Sequence, residues 1–212
     1  MNLKNIYYRF DSALTEKFCD DVVKYGESLE KIVAVTGAQG VNRNLKKNPL
    51  SKKEIKDLKK KRDSQIVWLK EEWIYKEIKP FIEEANKKAG WNYDWDHQES
   101  AQFTKYNIGQ YYHWHVDSLD KPFNTPHNLA MDKKIRKLSM SLLLSHPDEY
   151  EGGDFEFDFS NIEQGKAKHT LKELNGKGSI VVFPSHTYHR VTPVTKGTRY
   201  SLVIWCLGDS FR

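Results

Sequence analysis

The stretch Tyr106 to Ser118, YNIGQYYHWHVDS, carries two imidazoles and a carboxylate at alternate positions: His113, His115 and Asp117. In a strand, residues i, i+2 and i+4 point to the same face. The intervening Tyr112, Trp114 and Val116 are bulky and apolar, so the run alternates as a half-buried strand does. An imidazole and a carboxylate two residues apart on one face can grip the same metal ion. Alone, H-x-D is a short pattern, and a surface strand with polar residues is its ordinary explanation.

A second group lies near the C-terminus, in VVFPSHTYHRVTPVTKGTRYSLVIW. His189 opens a strand after a buried apolar one. If it faces the pocket of His115 and Asp117, the three make a facial set of two histidines and one carboxylate. That ligand set, with positions left open, belongs to non-haem Fe(II) oxygenases. Three ligands on one face leave room for a bidentate cosubstrate and dioxygen. If the His189 and Arg199 strands pair through a turn containing Pro193 and Gly197, Arg199, Ser201 and Trp205 project to one face. A guanidinium beside a hydroxyl is a good receptor for a carboxylate. 2-Oxoglutarate, which chelates at one end and carries a carboxylate at the other, would span such a pocket, and Tyr106 could add a hydrogen bond. The bland alternatives are a surface Arg199, a strand-filling Ser201 and a core Tyr106.

These residues need a scaffold. The spacing of Phe18, Val22, Tyr25 and Leu29 predicts a helix over 15–30 with Thr15 as N-cap. Residues 31–36 read as a short strand and Gly37–Ser51 as a loop. The charged run Lys52–Arg62 reads as a solvated helix face with Ile55 and Leu58 inward, because no aromatic residues interleave to stack on bases. Residues 64–88 read as a second helical region, with Pro80 ending or kinking it. From Asp94 onward short strands follow: 101–106, 110–117, 138–144, the alternating Phe155, Phe157 and Phe159, 179–183, 188–191 and 199–206. Seven or so strands with turn punctuation predict a sandwich or jelly roll. The connection Ser118–Lys137 is long enough to be a functional loop or a disordered one.

Bulk composition sets limits. A chain of 212 residues is long enough for one domain with a real core. Aromatic content of 13% against 38% hydrophobic fits a β-rich fold. A net charge of +5 does not by itself imply a nucleic-acid partner. Cys19 and Cys206 offer no disulfide framework, the N-terminus lacks an apolar leader, and no run reaches membrane-spanning length. The expectation is a cytoplasmic protein with no membrane partner.

Taken together, Tyr106, Gly109, Tyr112, His115 and Asp117 form Y-x-x-G-x-x-Y-x-x-H-x-D. Gly152-Gly153, Gly178, Phe183, His189-Arg190-Val191-x-Pro193-Val194 and Gly197-x-Arg199 follow in order. This pattern resembles the Fe(II)- and 2-oxoglutarate-dependent dioxygenases of the prolyl 4-hydroxylase-like superfamily, and within it the bacterial PKHD-type hydroxylases. The likeness covers roughly 98–208, with a weaker part at Arg62-x-Ser64 and Trp68-Leu69. It implies an α+β fold, a double-stranded β-helix with N-terminal helices packed on the outside of one sheet. As one oxygenase domain, 1–212 would divide into a mainly helical part, 1–93, and the β-helix core, 94–212.

The resemblance implies His115, Asp117 and His189 as metal ligands, leaving His113 and His186 at the pocket rim. His97, His127, His146 and His169 fall in turns or loops. It implies Tyr106, Arg199 and Ser201 as the cosubstrate site, and Arg62, Ser64 and Trp205 near the acceptor. Fe(II), 2-oxoglutarate and dioxygen would be required, with ascorbate as a reductant. The acceptor would be a peptide or protein side chain, prolyl being the leading guess, or a small molecule. Two other classes were weighed. A cupin-type metalloenzyme usually adds a Glu after H-x-H, and only Asp117 and Asp120 follow His115. A nucleic-acid module on Arg43–Arg62 leaves the triad and Arg199 unexplained. Sequence is silent on oligomeric state.

Overall fold

A computed structural model of the chain describes residues 5–34, 49–118, 121–159, 174 and 176–211, and of 169–170 the backbone alone. The first half contributes β1 (Tyr8–Phe10), α1 (Glu16–Ser28), β2 (Ile32–Val33), α2 (Lys52–Lys59), β3 (Arg62–Asp63), β4 (Gln65–Leu69), α3 (Glu72–Lys88), β5 (His97–Gln98) and β6 (Ala101–Tyr106). The second contributes β7 (Tyr111–His115), β8 (Lys134–Leu143), β9 (Tyr150–Gly152), β10 (Phe155–Asp158), β11 (His169–Thr170), β12 (Ile180–Pro184), β13 (Tyr188–Val191), β14 (Val194–Gly197) and β15 (Arg199–Asp209).

The larger sheet runs β1-β12-β8-β15-β6-β4-β2, with β5 on β15. The smaller runs β11-β10-β13-β7-β3, and β14 pairs β9 as a separate ribbon. The fold is the expected double-stranded β-helix. Residues directly opposite in a ladder share a face. In the larger sheet Arg199 faces Tyr106, Ser201 faces Thr104, Val203 faces Gln102 and Trp205 faces Ser139. This face is polar yet mostly buried, with Thr104, Gln102, Ser139, Ser141 and Ser201 all inside. The opposite face carries Phe103, Leu202, Ile204, Met140 and Leu142, packed with Val22 of α1 and Ile74, Ile78 and Ile82 of α3. The sheet therefore gives one apolar side to the helices, and toward the smaller sheet it presents this polar row beside a second apolar cluster, Leu143, Val181 and Phe183 with Phe155, Phe157 and Val191.

Local chemistry explains the helices. Thr15 Oγ1 accepts the Phe18 N–H at 3.2 Å, the N-cap expected of α1. Ser51 and Glu54 close a capping box on α2. Lys59 and Lys60 of the basic run pair with Asp63 and Asp57. Leu58 is buried as expected, and Ile55 is partly so.

Several expectations need correction. The run 64–88 is not one helix: Gln65–Leu69 is a strand inside the larger sheet, and α3 starts at Glu72 and continues past Pro80 to Lys88. A short apolar run such as IVWL fits either period, and tertiary pairing with β6 decides it. The strands of His189 and Arg199 do not pair. They lie in different sheets, and residues 194–197 form β14 rather than a simple turn. His97 and His169 lie in short strands. The loop expected over 37–51 falls mostly outside the described residues, as does the end of the 31–36 strand.

Ile78 is fully buried between α3 and the larger sheet. Ile78→Ala should lower unfolding free energy by about 2–5 kcal/mol. Urea unfolding measures it; a loss below about 1 kcal/mol would contradict this packing.

Candidate active site

β7 and β13 pair with His115 opposite His189. Asp117 lies just beyond β7, where its N–H and that of Ser118 both donate to the Ser185 carbonyl at 2.9 Å. One ligand atom from each of His115, Asp117 and His189 falls within 4.8 Å of the others. His115 Nε2 is 3.6 Å from Asp117 Oδ1, and His189 Nε2 is 3.5 Å from Oδ2.

Both imidazoles are held the same way. Nδ1 of His115 meets the His113 carbonyl at 2.8 Å, and Nδ1 of His189 meets that of Thr187 at 2.9 Å. An Nδ1–H donated to a carbonyl leaves the Nε2 lone pair for a metal. Burial, with the His115 ring adjoining, pushes the His189 imidazole down to about 4, so it is neutral at physiological pH. Burial alone would raise the Asp117 carboxyl, but the His189 and His115 rings and Arg136 outweigh it and hold it below the usual carboxylate range. A neutral His189 imidazole and an ionised Asp117 carboxylate are protonation states that suit a cation.

Across the interior, Arg199 is 4% exposed, and among the described residues its Nε and Nη1 have no hydrogen-bond partner. Its guanidinium lies 5.7 Å from the Tyr106 ring centre, and Ser201 is buried two residues along the same face. Gly153 has φ +64, and a Cβ there would come within 2.8 Å of Arg199 Cδ. An unpartnered buried guanidinium is costly unless an anion arrives.

Residues 101–207 match the family model of the 2OG-Fe(II) oxygenase superfamily. The chain belongs to this superfamily. A PKHD-type hydroxylase of Teredinibacter turnerae is 38% identical over 104 residues, 49% of this chain and 41% of that protein. One of Parvibaculum lavamentivorans is 35% identical over 105 residues, again 49% and 41%. The matched segment thus spans less than half the length of these curated relatives. A viral collagen prolyl hydroxylase from Paramecium bursaria Chlorella virus-1, solved with 2OG, shares the fold at TM-score 0.63 and 21% identity, covering 97% of each chain. A Pseudomonas putida prolyl-4-hydroxylase does so at 0.61 and 16%, covering 98% of this chain and 95% of that one.

The 2OG-Fe(II) oxygenase superfamily implies Fe(II) and 2-oxoglutarate, and the residues present fit both. The triad offers two nitrogens and a carboxylate, and Arg199 offers unused donors to an anion.

The β7 face differs from strict alternation. A register shift in the β7–β13 ladder turns Tyr112 inward, where it stacks on His115 at 3.5 Å. His113 turns out to solvent, its Nδ1 accepting the Trp114 N–H. His186 is also exposed. Burial pushes the Tyr112 phenol up to about 12, which keeps it neutral.

The acceptor candidates lie in two places. Arg62 is buried over Tyr112 at 4.5 Å and donates to Ser64 and Gln102, so Arg62 and Ser64 are bound to each other beneath the His115 stack. Trp205 is buried, 6.1 Å from the half-exposed Trp68, and its indole N–H has no partner among the described residues.

Sequence reasoning missed Arg136 and Glu99. Arg136 was hidden inside the supposed loop 118–137, yet β8 begins at Lys134. No local signal marks it: strict alternation back from Leu138 would put Arg136 on the helix-facing side, and a register shift in the β8–β15 ladder turns it to the Trp205 side. The described part of the connection is tied down. The Phe123 N–H donates to the Lys134 carbonyl and the Lys133 N–H to the Phe123 carbonyl, and the Phe123 ring packs with Trp205 and Leu207.

His115→Ala and His189→Ala should each weaken Mn(II) binding at least about tenfold, judged against what losing even an outer partner costs. An Mn(II) titration followed by EPR, with circular dichroism to confirm folding, checks this. Unchanged affinity in a folded variant would contradict the ligand set.

Proposed function

We propose that this chain is a Fe(II)- and 2-oxoglutarate-dependent hydroxylase. The observation that carries the reading is the triad of His115, Asp117 and His189 facing, from one sheet, an unpartnered buried Arg199 on the other. With Fe(II), 2-oxoglutarate and dioxygen bound, the chemistry supplied is oxidative decarboxylation to succinate and CO2, coupled to conversion of an acceptor C–H to C–OH.

The chain's own residues bind, orient and exclude water. The Nε2 atoms of His115 and His189 and the Asp117 carboxylate hold the ion. Arg199 donates to the distal carboxylate of 2-oxoglutarate, with Ser201 and Tyr106 adding hydrogen bonds. Phe155 and Phe183 pack against the His189 ring, at 5.4 and 4.7 Å, and keep that side of the site dry. Ascorbate belongs to the same proposal as an accessory reductant.

The acceptor is proposed to be a prolyl residue of a peptide or protein. Prolyl hydroxylases are among the fold neighbours, including one from Trichoplax adhaerens in complex with a hypoxia inducible factor oxygen degradation domain peptide, at TM-score 0.59 and 15% identity. Trp68, 40% exposed with the buried Trp205 behind it, supplies aromatic surface of the kind that packs on a pyrrolidine ring. The paired lysines of the basic run weigh against a nucleic-acid acceptor. No described helix is long and apolar enough to cross a membrane. The free buried Cys19 and Cys206 agree with a reducing, cytoplasmic setting.

Arg199→Ala should cost about 1.5–3 kcal/mol of cosubstrate binding, roughly a tenfold to hundredfold higher 2-oxoglutarate requirement. Gly153→Ala should move the same parameter in the same direction. Mn(II) affinity should hold in both. Succinate formation against 2-oxoglutarate concentration measures the effect, and an unchanged requirement would reject the role.

Proline-containing peptides should stimulate succinate formation and gain about 16 mass units, one oxygen atom. Stimulation by small metabolites and by no peptide would reject the acceptor class and leave the hydroxylase.

A further inference from the structure

Arg136 stands where three parts of the site meet. Its Nη2 donates to Glu99 Oε2 at 2.7 Å, and its Nε donates to Glu99 Oε1. Its Nη1 donates to the backbone carbonyl of Asp117 at 3.4 Å. Its guanidinium lies 3.9 Å from the Trp205 ring centre and 5.9 Å from that of Phe123. Glu99 is fixed in turn, its N–H donating to the Trp205 carbonyl at 3.0 Å.

These contacts have a direction. The bidentate pair with Glu99 fixes the plane of the guanidinium, since a fork of donors matches a carboxylate in one orientation. Once that plane is fixed, Nη1 points at Asp117 and the flat face lies on Trp205. Asp117 lies two residues beyond the end of β7, outside the ladder, so no β7 ladder bond among the described residues holds its carbonyl. The Ser185 carbonyl takes its N–H on one side, and Arg136 takes its C=O on the other.

We propose that Arg136 is a positioning residue: through Glu99 it fixes the Asp117 backbone, and so the metal-ligating carboxylate, together with the Trp205 ring. It touches neither metal nor cosubstrate. This rests on the reading of His115, Asp117 and His189 as the metal ligands. An ion pair that only fastened the segment between β5 and β6 to β8 would change stability and leave metal affinity alone.

The test uses the full chain, with Mn(II) as probe followed by EPR. Wild type is compared with Arg136→Met, Arg136→Lys, Glu99→Gln, the double variant Arg136→Met/Glu99→Gln, and Asp117→Ala as a control. Arg136→Met should weaken Mn(II) about tenfold or more, the scale of lost outer-sphere partners. Arg136→Lys should recover little, because an ammonium makes neither the fork nor the flat stack. Glu99→Gln should weaken Mn(II) less, and the double variant should be no worse than Arg136→Met, since the two act as one unit. Tryptophan emission should shift in the Arg136 variants as the face of Trp205 is uncovered.

Wild-type Mn(II) affinity in folded Arg136→Met, or additive losses in the double variant, overturns the proposal. If Arg136→Met does not fold, wild-type affinity in both Arg136→Lys and Glu99→Gln overturns it. The ligand reading fails separately. No Mn(II) binding by wild type, or wild-type affinity in Asp117→Ala, rejects the metal site and the positioning role with it.

Discussion

A guanidinium buried with two unpartnered donors is the constraint on which the rest of this structure turns. Leaving Arg199 unpaired in a low-dielectric interior is costly, and the surrounding residues do not relieve it. They make room instead. Gly153 has no side chain where one would strike Arg199, and Ser201, Thr104 and Gln102 continue the polar row down the sheet. The helices support this arrangement by taking the apolar face of the same sheet.

The opposite sheet is prepared before any ion arrives. Each imidazole is tied through Nδ1 to a carbonyl two residues earlier, so tautomer and ring direction are set by backbone. The two histidines are supported unequally. His189 lies among Phe155, Phe157 and Phe183 with 6% of its side chain exposed, whereas His115 retains 15% beneath Tyr112. Solvent therefore reaches the pair more readily on the His115 side. Rigid support of ligands is what gives a site defined geometry.

The legible parts of the chain were those with a long, clean period. Leu138, Met140, Leu142 and Leu144 share the helix-facing side as alternation required. Thr15 caps α1, and Arg199, Ser201 and Trp205 share a face. What sequence could not supply was context beyond the local repeat. The five-residue strand Gln65–Leu69 looked helical because its partner β6 lies more than thirty residues away. The register shift that brings Tyr112 in and turns His113 out leaves no local mark, since either histidine satisfies alternation. His189 and Arg199 were placed in one pocket for the wrong topological reason. They lie on two different sheets rather than along one ladder.

The most direct test is a crystal structure of the protein with Mn(II) in place of Fe(II) and 2-oxoglutarate added. The expected result is one ion on His115, Asp117 and His189, with the distal carboxylate of 2-oxoglutarate on the Nε and Nη1 donors of Arg199. An ion bound elsewhere, or a carboxylate seated away from Arg199, would contradict the account.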